Sequence, residues 1–368
     1  MAATGDGVAH PLNGASLGTL RRVLAEAGPG VPLGDRLALR ASAVGRLPFT
    51  LLEKAMTAAL VPPLSAIDPP VFILGHWRSG TTHLYNIMSL GAFAYVPPVA
   101  VGMPLEMLTL GRLLKGFLER KLPESRYIDN IPVTPTSPQE DEIAIANMTA
   151  MSFYHGIYFP KAFDLFVERG LFFEGASKAD IADWTEAFGL FARKIAWQQK
   201  KPLLIKNPVY TARPRLLRQL FPRAKFIHIH RDPFDLFLSM RNFWTRLFEA
   251  LALQPWDRVD IDAVVLATYA RMLTAFEEQT KGWGSPEFVE IAYADLDERP
   301  LETVEHVYEA LRLPGFEEAR PRFAAYLETV KSYEKNRFRG DAEAIARVRE
   351  AWGPWIAKWG YRAPQPAA

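Results

Sequence analysis

One segment of the chain passes from an apolar run through a glycine-containing loop into a helical pattern: Val71-Phe72-Ile73-Leu74-Gly75-His76-Trp77-Arg78-Ser79-Gly80-Thr81-Thr82-His83-Leu84. The four apolar residues, preceded by Pro69-Pro70, predict a short buried strand. Leu84 and Ile87 recur at helical spacing after Gly80, which predicts a helix beginning near that glycine. A strand, a short loop and a helix in this order are typical of a parallel α/β sheet.

The loop between this strand and this helix has the composition of an anion-binding site. The first N–H groups of a helix have no intrahelical partner and, together with the helix dipole, attract anions. Gly80 leaves room for a close approach, and Arg78, Thr81 and Thr82 add donors around it. No Lys follows Gly80, so the segment is not a nucleotide triphosphatase loop. Taken alone, it supports a phosphate or sulfate cradle and an ordinary strand–helix turn equally.

Three further strand candidates, each followed by a helical pattern, extend the same arrangement. The strands are expected at Pro202–Lys206, Phe226–His230 and Phe288–Tyr293, and the helices after them at Ala212–Phe221, Phe234–Phe248 and Leu301–Leu311. We therefore predict an α/β fold, a parallel sheet flanked by helices on both faces. Ligands of such sheets bind beyond the carboxyl ends of the strands.

The composition excludes several classes of protein. Lys plus Arg is 43 and Asp plus Glu is 41 among 368 residues, so no basic excess points to nucleic acid. Cys is absent, which removes disulfide scaffolds, thiolate metal sites and cysteine nucleophiles. We find no signal peptide or membrane span and expect a cytoplasmic protein. Residues 1–66 are predicted to form a helical lead-in. Residues 67–368 are predicted to form one domain with an insertion at about 93–173.

The segment Arg36–Leu64 mixes basic and apolar residues and has two interpretations. It is either a helix packed on the surface of the domain or a membrane-surface helix that meets a lipid-soluble substrate. We favour the first, so peripheral membrane contact is the alternative here. The oligomeric state is left open.

Arg78-Ser79-Gly80-Thr81-Thr82 resembles the 5′-phosphosulfate loop of sulfotransferases that use 3′-phosphoadenylyl sulfate (PAPS). The strand that ends in Arg231, with Ser239 about two helical turns later, resembles the family's second signature, which grips the 3′-phosphate. Tyr293 matches a late strand near the adenine, although a core tyrosine would explain it nearly as well. The resemblance spans about 70–311. It implies a P-loop-like sulfotransferase fold and PAPS as donor, with its product PAP released. It also implies donor-binding roles for Arg78, Ser79, Gly80, Thr81, Thr82, Arg231, Ser239 and Tyr293.

The resemblance also implies where the catalytic groups are. Lys206 matches the lysine that many members place near the bridging oxygen, and a surface lysine at a strand exit is the alternative. Cytosolic members carry a histidine base two residues later, where this chain has Pro208. A bacterial branch commonly shows Pro-Gln-Glu-Asp-Glu, as in residues 138–142. We therefore take Glu140 as the first candidate base and Asp141 as the second, although an acidic helix N-terminus would also explain them.

The remaining motifs complete the prediction. His228 and His230 alternate with apolar residues and are interpreted as hydrogen-bonded core histidines, and no metal site is predicted. The aromatic residues at 153–166 predict an apolar acceptor pocket or, alternatively, a core. Asp129-Asn130 also resembles the bacterial branch. The basic run Lys335–Gly340 resembles a late 3′-phosphate loop, but a solvated charge run would explain it equally.

These observations predict an enzyme that transfers a sulfuryl group from PAPS to a hydroxyl of a lipophilic or aromatic small molecule by in-line displacement. Two alternatives remain. One is a non-catalytic nucleotide-binding protein of the same fold. The other is a kinase-like P-loop enzyme, which the missing Walker lysine disfavours.

Overall fold

The computed structural model describes residues 10–120, 134–330 and 342–364. Its four strands are β1 (Val71–Leu74), β2 (Leu204–Lys206), β3 (Lys225–His230) and β4 (Phe288–Ala292). The α-helices are α1 (Leu17–Glu26), α2 (Leu33–Leu60), α3 (Thr81–Met88), α4 (Pro98–Gly102), α5 (Leu110–Leu113), α6 (Lys115–Glu119), α7 (Glu142–Met148), α8 (Tyr154–Tyr158), α9 (Phe163–Val167), α10 (Lys178–Gln199), α11 (Pro214–Leu220), α12 (Pro233–Leu251), α13 (Ile261–Thr280), α14 (Tyr293–Glu298), α15 (Pro300–Ala310), α16 (Phe316–Val330) and α17 (Ala342–Lys358).

The four strands form one parallel sheet with the order β2-β1-β3-β4. Val71 lies beside Leu204 on one side and beside Lys225 on the other, so β1 is central. Every residue of β1 is buried, as expected for a strand covered on both faces, whereas burial alternates along the edge strand β4. The predicted α/β class with a parallel sheet is confirmed.

The helices after the strands follow the predicted order with two local differences. The helix expected over Ala212–Phe221 is divided into a 3-10 turn at Pro208–Ala212 and α11, which begins at Pro214. Proline lacks the N–H that would continue a preceding helix but fits the first helical turn, so it starts a new one. The last predicted strand ends at Ala292, and Tyr293 already begins α14.

The chain divides into two compact units. The first comprises Met1–Asp68, Ala94–Leu203 and Arg246–Val259, and the second comprises Pro69–Phe93, Leu204–Thr245 and Asp260–Ala368. The lead-in helices and the short helices α4–α9 belong to the first unit, while the whole sheet belongs to the second. The proposed domain boundary near residue 67 stays a prediction.

The first unit is helical and contains a capping box. Ser177 accepts a hydrogen bond from the N–H of Asp180, whose carboxylate accepts one from the N–H of Ser177, and these two bonds cap the start of α10. Further along α10, the rings of Trp184 and Phe188 stack with centroids 5.2 Å apart in the core. Among the described residues, no helix is long and apolar enough to cross a membrane.

Candidate functional site

The predicted donor-binding residues of the second unit come from the carboxyl ends of all four strands. Lys206 ends β2, the loop at 75–80 follows β1, Arg231 follows β3 and Tyr293 follows β4. Because the strands are parallel and adjacent, these ends meet at one edge of the sheet. The first and last of these residues, Gly75 and Tyr293, are more than two hundred positions apart in the sequence, and the fold brings them to the same edge of the sheet.

Gly80 is the position where the loop admits no side chain. Its φ is 99°, in the left-handed region, and a Cβ there would lie 2.2 Å from Cδ2 of Tyr293. Gly80 is also the N-cap of α3 and offers no capping side chain, so the first turn of α3 depends on other groups for its N–H donors. This geometry favours an anion cradle over an ordinary capped turn.

Arg78 joins the two predicted donor-binding motifs. Its Nε donates a hydrogen bond to Oγ of Ser239 in α12 (3.0 Å). Its backbone carbonyl accepts a hydrogen bond from Nη1 of Arg231 (3.1 Å). Arg78 has a φ of 67°, a left-handed conformation that is rare for a residue with a Cβ. Ser239 is buried, so it is not a solvent-exposed position of α12.

Tyr293 packs against the loop from the end of β4. The guanidinium of Arg231 lies 4.8 Å from the centroid of its ring, a cation–π geometry, and its hydroxyl donates to Asp297 (3.3 Å). Burial raises the pKa of the Tyr293 phenol, which therefore stays neutral near pH 7. The ring thus packs against both Gly80 and the guanidinium of Arg231.

Lys206 extends from the last position of β2 to the beginning of α3. Its side chain is only 2% exposed, and its Nζ donates to Oγ1 of Thr82 (3.1 Å). The alternative of a surface lysine at a strand exit is therefore wrong. A buried ammonium beside a helix N-terminus forms a positive region that suits a multiply charged anion.

Two loop residues face inward. Thr81 is buried, and its Cγ2 would lie 3.0 Å from a Cβ added at Gly75. Ser79 is also buried, its N–H donates to the carbonyl of His76, and its Oγ has no hydrogen-bond partner among the described residues. Its donor-binding role remains a prediction.

Thr211 is a site residue that sequence reasoning missed. Its Oγ1 accepts a hydrogen bond from the N–H of Gly75 (2.8 Å) and so ties the start of the loop to the 3-10 turn after β2. A threonine five residues after Lys206 belongs to no recognisable sequence motif. Only the pairing of β1 with β2 brings it to the loop.

The histidines of the sheet are structural. Nδ1 of His228 lies 2.8 Å from a carboxylate oxygen of Glu290, and Nδ1 of His230 lies 2.8 Å from the hydroxyl of Tyr361. Burial raises the pKa of Glu290, but the hydrogen bond and charge of His228, together with the charges of Lys358 and His230, lower it to about 2. In the loop, burial lowers the pKa of His76 to about 4. The interpretation of His228 and His230 as hydrogen-bonded histidines is confirmed.

The two candidate bases lie in the first unit. Glu140 is half-buried, whereas Asp141 is buried and occupies the N-cap position of α7. The neighbouring Glu142 is fully buried and accepts a hydrogen bond from Ser152 (2.7 Å). Of the cluster, Glu140 is thus the carboxylate most accessible to a substrate, which keeps it ahead of Asp141. Asp129-Asn130 and Lys335–Gly340 lie outside the described residues.

The aromatic residues predicted to line an acceptor pocket are all buried in the first unit. Tyr158 lies at the centre of the cluster, with ring centroids 5.9 Å from Tyr154 and 6.2 Å from His155. The other members are Phe153, Phe159, Phe163 and Phe166. Their burial makes them a core, and their contact with an acceptor stays a prediction.

Comparisons with known proteins show the family to which the chain belongs. A family model described as "Sulfotransferase family" matches residues 69–318. The omega-hydroxy-beta-dihydromenaquinone-9 sulfotransferase Stf3 of Mycobacterium tuberculosis is 30% identical over 302 residues, covering 82% of this chain and 78% of the relative. The protein of the same name from Mycobacterium bovis gives the same figures.

Two solved structures share the fold. Sulfotransferase STF9 from Mycobacterium avium superimposes with a TM-score of 0.70 at 16% identity, over 94% of this chain and 91% of that one. Sulfotransferase STF1 from Mycobacterium tuberculosis gives a TM-score of 0.61 at 18% identity, over 91% and 92%. The family model covers more than half of the chain and includes the loop and all four strand ends. The chain therefore belongs to the sulfotransferase family and is a sulfotransferase.

Proposed function

We propose that this sulfotransferase transfers the sulfuryl group of PAPS to a hydroxyl of a lipophilic small molecule. The observation that carries the proposal is the junction at Arg78, where the expected 5′-phosphosulfate loop and the expected 3′-phosphate motif are bonded to each other. A nucleotide with phosphates on the 5′ and 3′ oxygens of its ribose needs a cation near each. Arg78, after β1, would serve the 5′-phosphosulfate, and Arg231, after β3, the 3′-phosphate.

The chemistry divides among the residues of the site. The acceptor oxygen attacks sulfur, the bond from sulfur to the bridging oxygen breaks, and PAP leaves with the negative charge. Lys206, a buried cation beside Thr82, is placed to stabilise that charge. Arg78 and the N-terminus of α3 would hold the phosphosulfate in line with the acceptor. Glu140 would take the proton of the acceptor hydroxyl.

The acceptor class rests on a relative. The name of Stf3 specifies a hydroxyl on dihydromenaquinone-9, which is a lipophilic acceptor. Its alignment spans 82% of this chain, so it extends beyond the donor-binding elements into regions where acceptor specificity is expected. We therefore place the acceptor of this chain among hydroxylated lipophilic molecules.

Transfer is tested directly with labelled PAPS. The full chain is incubated with the labelled donor and with hydroxylated polyprenyl quinols of different chain lengths, and the lipid fraction is assayed for label. We expect labelled sulfate ester in that fraction. PAP binding without transfer to any hydroxyl acceptor would support the non-catalytic alternative. Preferential binding of ATP would support the kinase-like one.

Arg231→Ala is expected to weaken PAP binding about 30-fold, the loss of a charge-assisted contact worth about 2 kcal/mol. Arg231→Lys should restore only part of the affinity because an ammonium does not reproduce the guanidinium fork. Titration calorimetry with PAP measures both. The matched control is Arg299→Ala, an exposed arginine of the same unit paired with Asp295. Equal losses in Arg231→Ala and Arg299→Ala would contradict the assignment.

Glu140→Gln is expected to lower kcat about 100-fold, the lower end of what a general base contributes, while PAP affinity stays unchanged. The control is Glu186→Gln, an exposed acid on α10 of the same unit. Asp141→Asn separates the two candidates, because changing a buried carboxylate that is not the base should affect thermal stability more than kcat. If Glu140→Gln keeps wild-type turnover, Glu140 is not the base.

A further inference from the structure

The long helix α2 buries charged side chains as well as apolar ones on the face that packs against the first unit. Its buried positions are Leu39, Ala43, Arg46, Glu53 and Thr57, which recur at intervals of three, four and seven residues along one face. Two of these are charged and paired inside the first unit. Arg46 donates to Glu106 (2.6 Å), and Glu53 forms an ion pair with Lys194. The inner face of α2 is therefore held by buried charges.

The outer face of α2 carries large apolar side chains that are exposed to solvent. Leu52 (52%) and Leu60 (55%) are exposed at other angles around the helix, and five more apolar residues share one side: Leu33 (68%), Leu37 (55%), Val44 (56%), Leu47 (40%) and Leu51 (59%). At 3.6 residues per turn these five fall within an arc of about 80° and extend over about 27 Å along the helix. They form one continuous strip, which we call the leucine strip. Contiguous exposed apolar surface of this kind marks an interaction site.

Basic residues flank the leucine strip. Arg36 and Lys54 lie along one side of it by helical position, Arg40 lies within its arc, and Arg40 and Lys54 are exposed. The acidic residues of α2 are Asp35, which is half-buried, and Glu53, which is buried. The outward charge of the helix is thus positive. Long basic side chains beside an apolar strip can keep their charges at a headgroup layer while their stems cover apolar surface.

The neighbouring segment repeats this composition. Leu113 is 74% exposed and Phe117 is 52% exposed, with Arg112 and Lys115 between and beside them. Thr109, which precedes this segment, bonds to Glu53 through its N–H (3.0 Å) and its hydroxyl (2.9 Å), so the segment is fastened to α2.

We infer that the leucine strip is a docking surface for a bilayer that contains anionic lipid, with α2 lying in the headgroup region. The strip provides apolar area and the basic side provides attraction to anionic headgroups. The inference rests on the proposed function, because a long-chain lipophilic acceptor is dissolved in a bilayer and must be collected there.

Pairing of the strip with a second copy of the chain is less favourable. A two-fold interface uses the same patch on both copies, so the basic rows of both would enter one interface. Like charges in an interface oppose association, whereas anionic headgroups neutralise the same row. The charge of the outer face therefore selects the bilayer.

Vesicle flotation of the full chain tests the inference. The vesicles are phosphatidylcholine alone or with about a quarter phosphatidylglycerol, since anionic lipid is the required component. The test variant is Leu37→Gln with Val44→Gln and Leu51→Gln, because glutamine keeps helix propensity. The control variant is Leu17→Gln with Leu165→Gln, two apolar side chains exposed elsewhere in the same unit.

We expect the wild type and the control to float with anionic vesicles, and the triple variant to bind them at least about tenfold more weakly. Binding should fall at high salt and with phosphatidylcholine alone. Absence of wild-type flotation, or equal binding of the triple variant, would overturn the inference. So would a wild-type dimer in sedimentation velocity that the triple variant converts to monomer.

PAP titration of the same samples keeps this result separate from the proposed function. PAP binding with no flotation means that docking fails and the donor assignment stands. Flotation without PAP binding means that the donor assignment fails.

Discussion

Lys206→Met is expected to lower kcat for sulfuryl transfer about 10³-fold, the size of effect seen when a preorganised charge at a transition state is lost. Lys206 is buried at the end of β2, with its Nζ 3.1 Å from Thr82 in the first turn of α3. Charge builds up on the bridging oxygen as its bond to sulfur breaks, so the ammonium acts mainly in the transition state. Methionine keeps most of the apolar stem and removes the ammonium together with its hydrogen bond to Thr82.

The control for Lys206→Met is a lysine at the amino-terminal ends of the strands, on the side of the sheet opposite to Lys206. Lys225 begins β3 and donates to the carbonyl of Pro286 (2.9 Å). Lys225→Met should affect stability and leave kcat near wild type. Steady-state kinetics with saturating PAPS distinguishes the two. Near-wild-type kcat in Lys206→Met would remove Lys206 from the mechanism.

Gly80→Ala is expected to weaken PAP binding about 100- to 1,000-fold, since a strained φ and a displaced loop together cost about 3–4 kcal/mol. The added Cβ would lie 2.2 Å from Cδ2 and 2.8 Å from Cε2 of Tyr293, and the left-handed φ of 99° disfavours any side chain. The loop would have to move away from the ring, and the N–H groups of α3 would move with it.

Two further variants control the Gly80 prediction. Gly353→Ala, in α17 of the same unit, adds a Cβ with no atom within 4 Å and should leave PAP binding unchanged. Gly80→Ala combined with Tyr293→Ala removes the collision but not the φ strain, so it should recover part of the affinity. Wild-type affinity in Gly80→Ala would show that the cradle does not depend on this geometry.

The strands could be predicted because their signals are local. Val71–Leu74 is an unbroken apolar run, and its burial on both faces is what such runs predict. The helix boundary at Pro214 was missed because apolar spacing continues across it, whereas the backbone of proline starts a new helix. Tyr293 was assigned to a strand because its side chain suits one, but the chain turns into α14 there.

Site residues could be predicted from the sequence only where they belong to a recognisable motif. Arg78 and Arg231 were identified from two signatures, but the bond between them depends on β1 lying beside β3. The role of Thr211 and the packing of Tyr293 on Gly80 have no signature in one dimension. For α2, the sequence allowed both a helix packed on the domain and a membrane-surface helix, and it did not decide which face is buried. Helical periodicity finds two faces, and hydrophobicity alone assigns the apolar one to the interior.

The most direct test of the donor site is titration calorimetry of the full chain with PAP, 5′-AMP and ATP with magnesium. A site built from Arg78, Arg231 and Ser239 requires both phosphates of PAP. We predict that PAP binds at least about tenfold more tightly than 5′-AMP and than ATP, since one charge-assisted phosphate contact is worth about 1.5–3 kcal/mol. Tighter binding of ATP, or no binding of any of the three, would contradict the account.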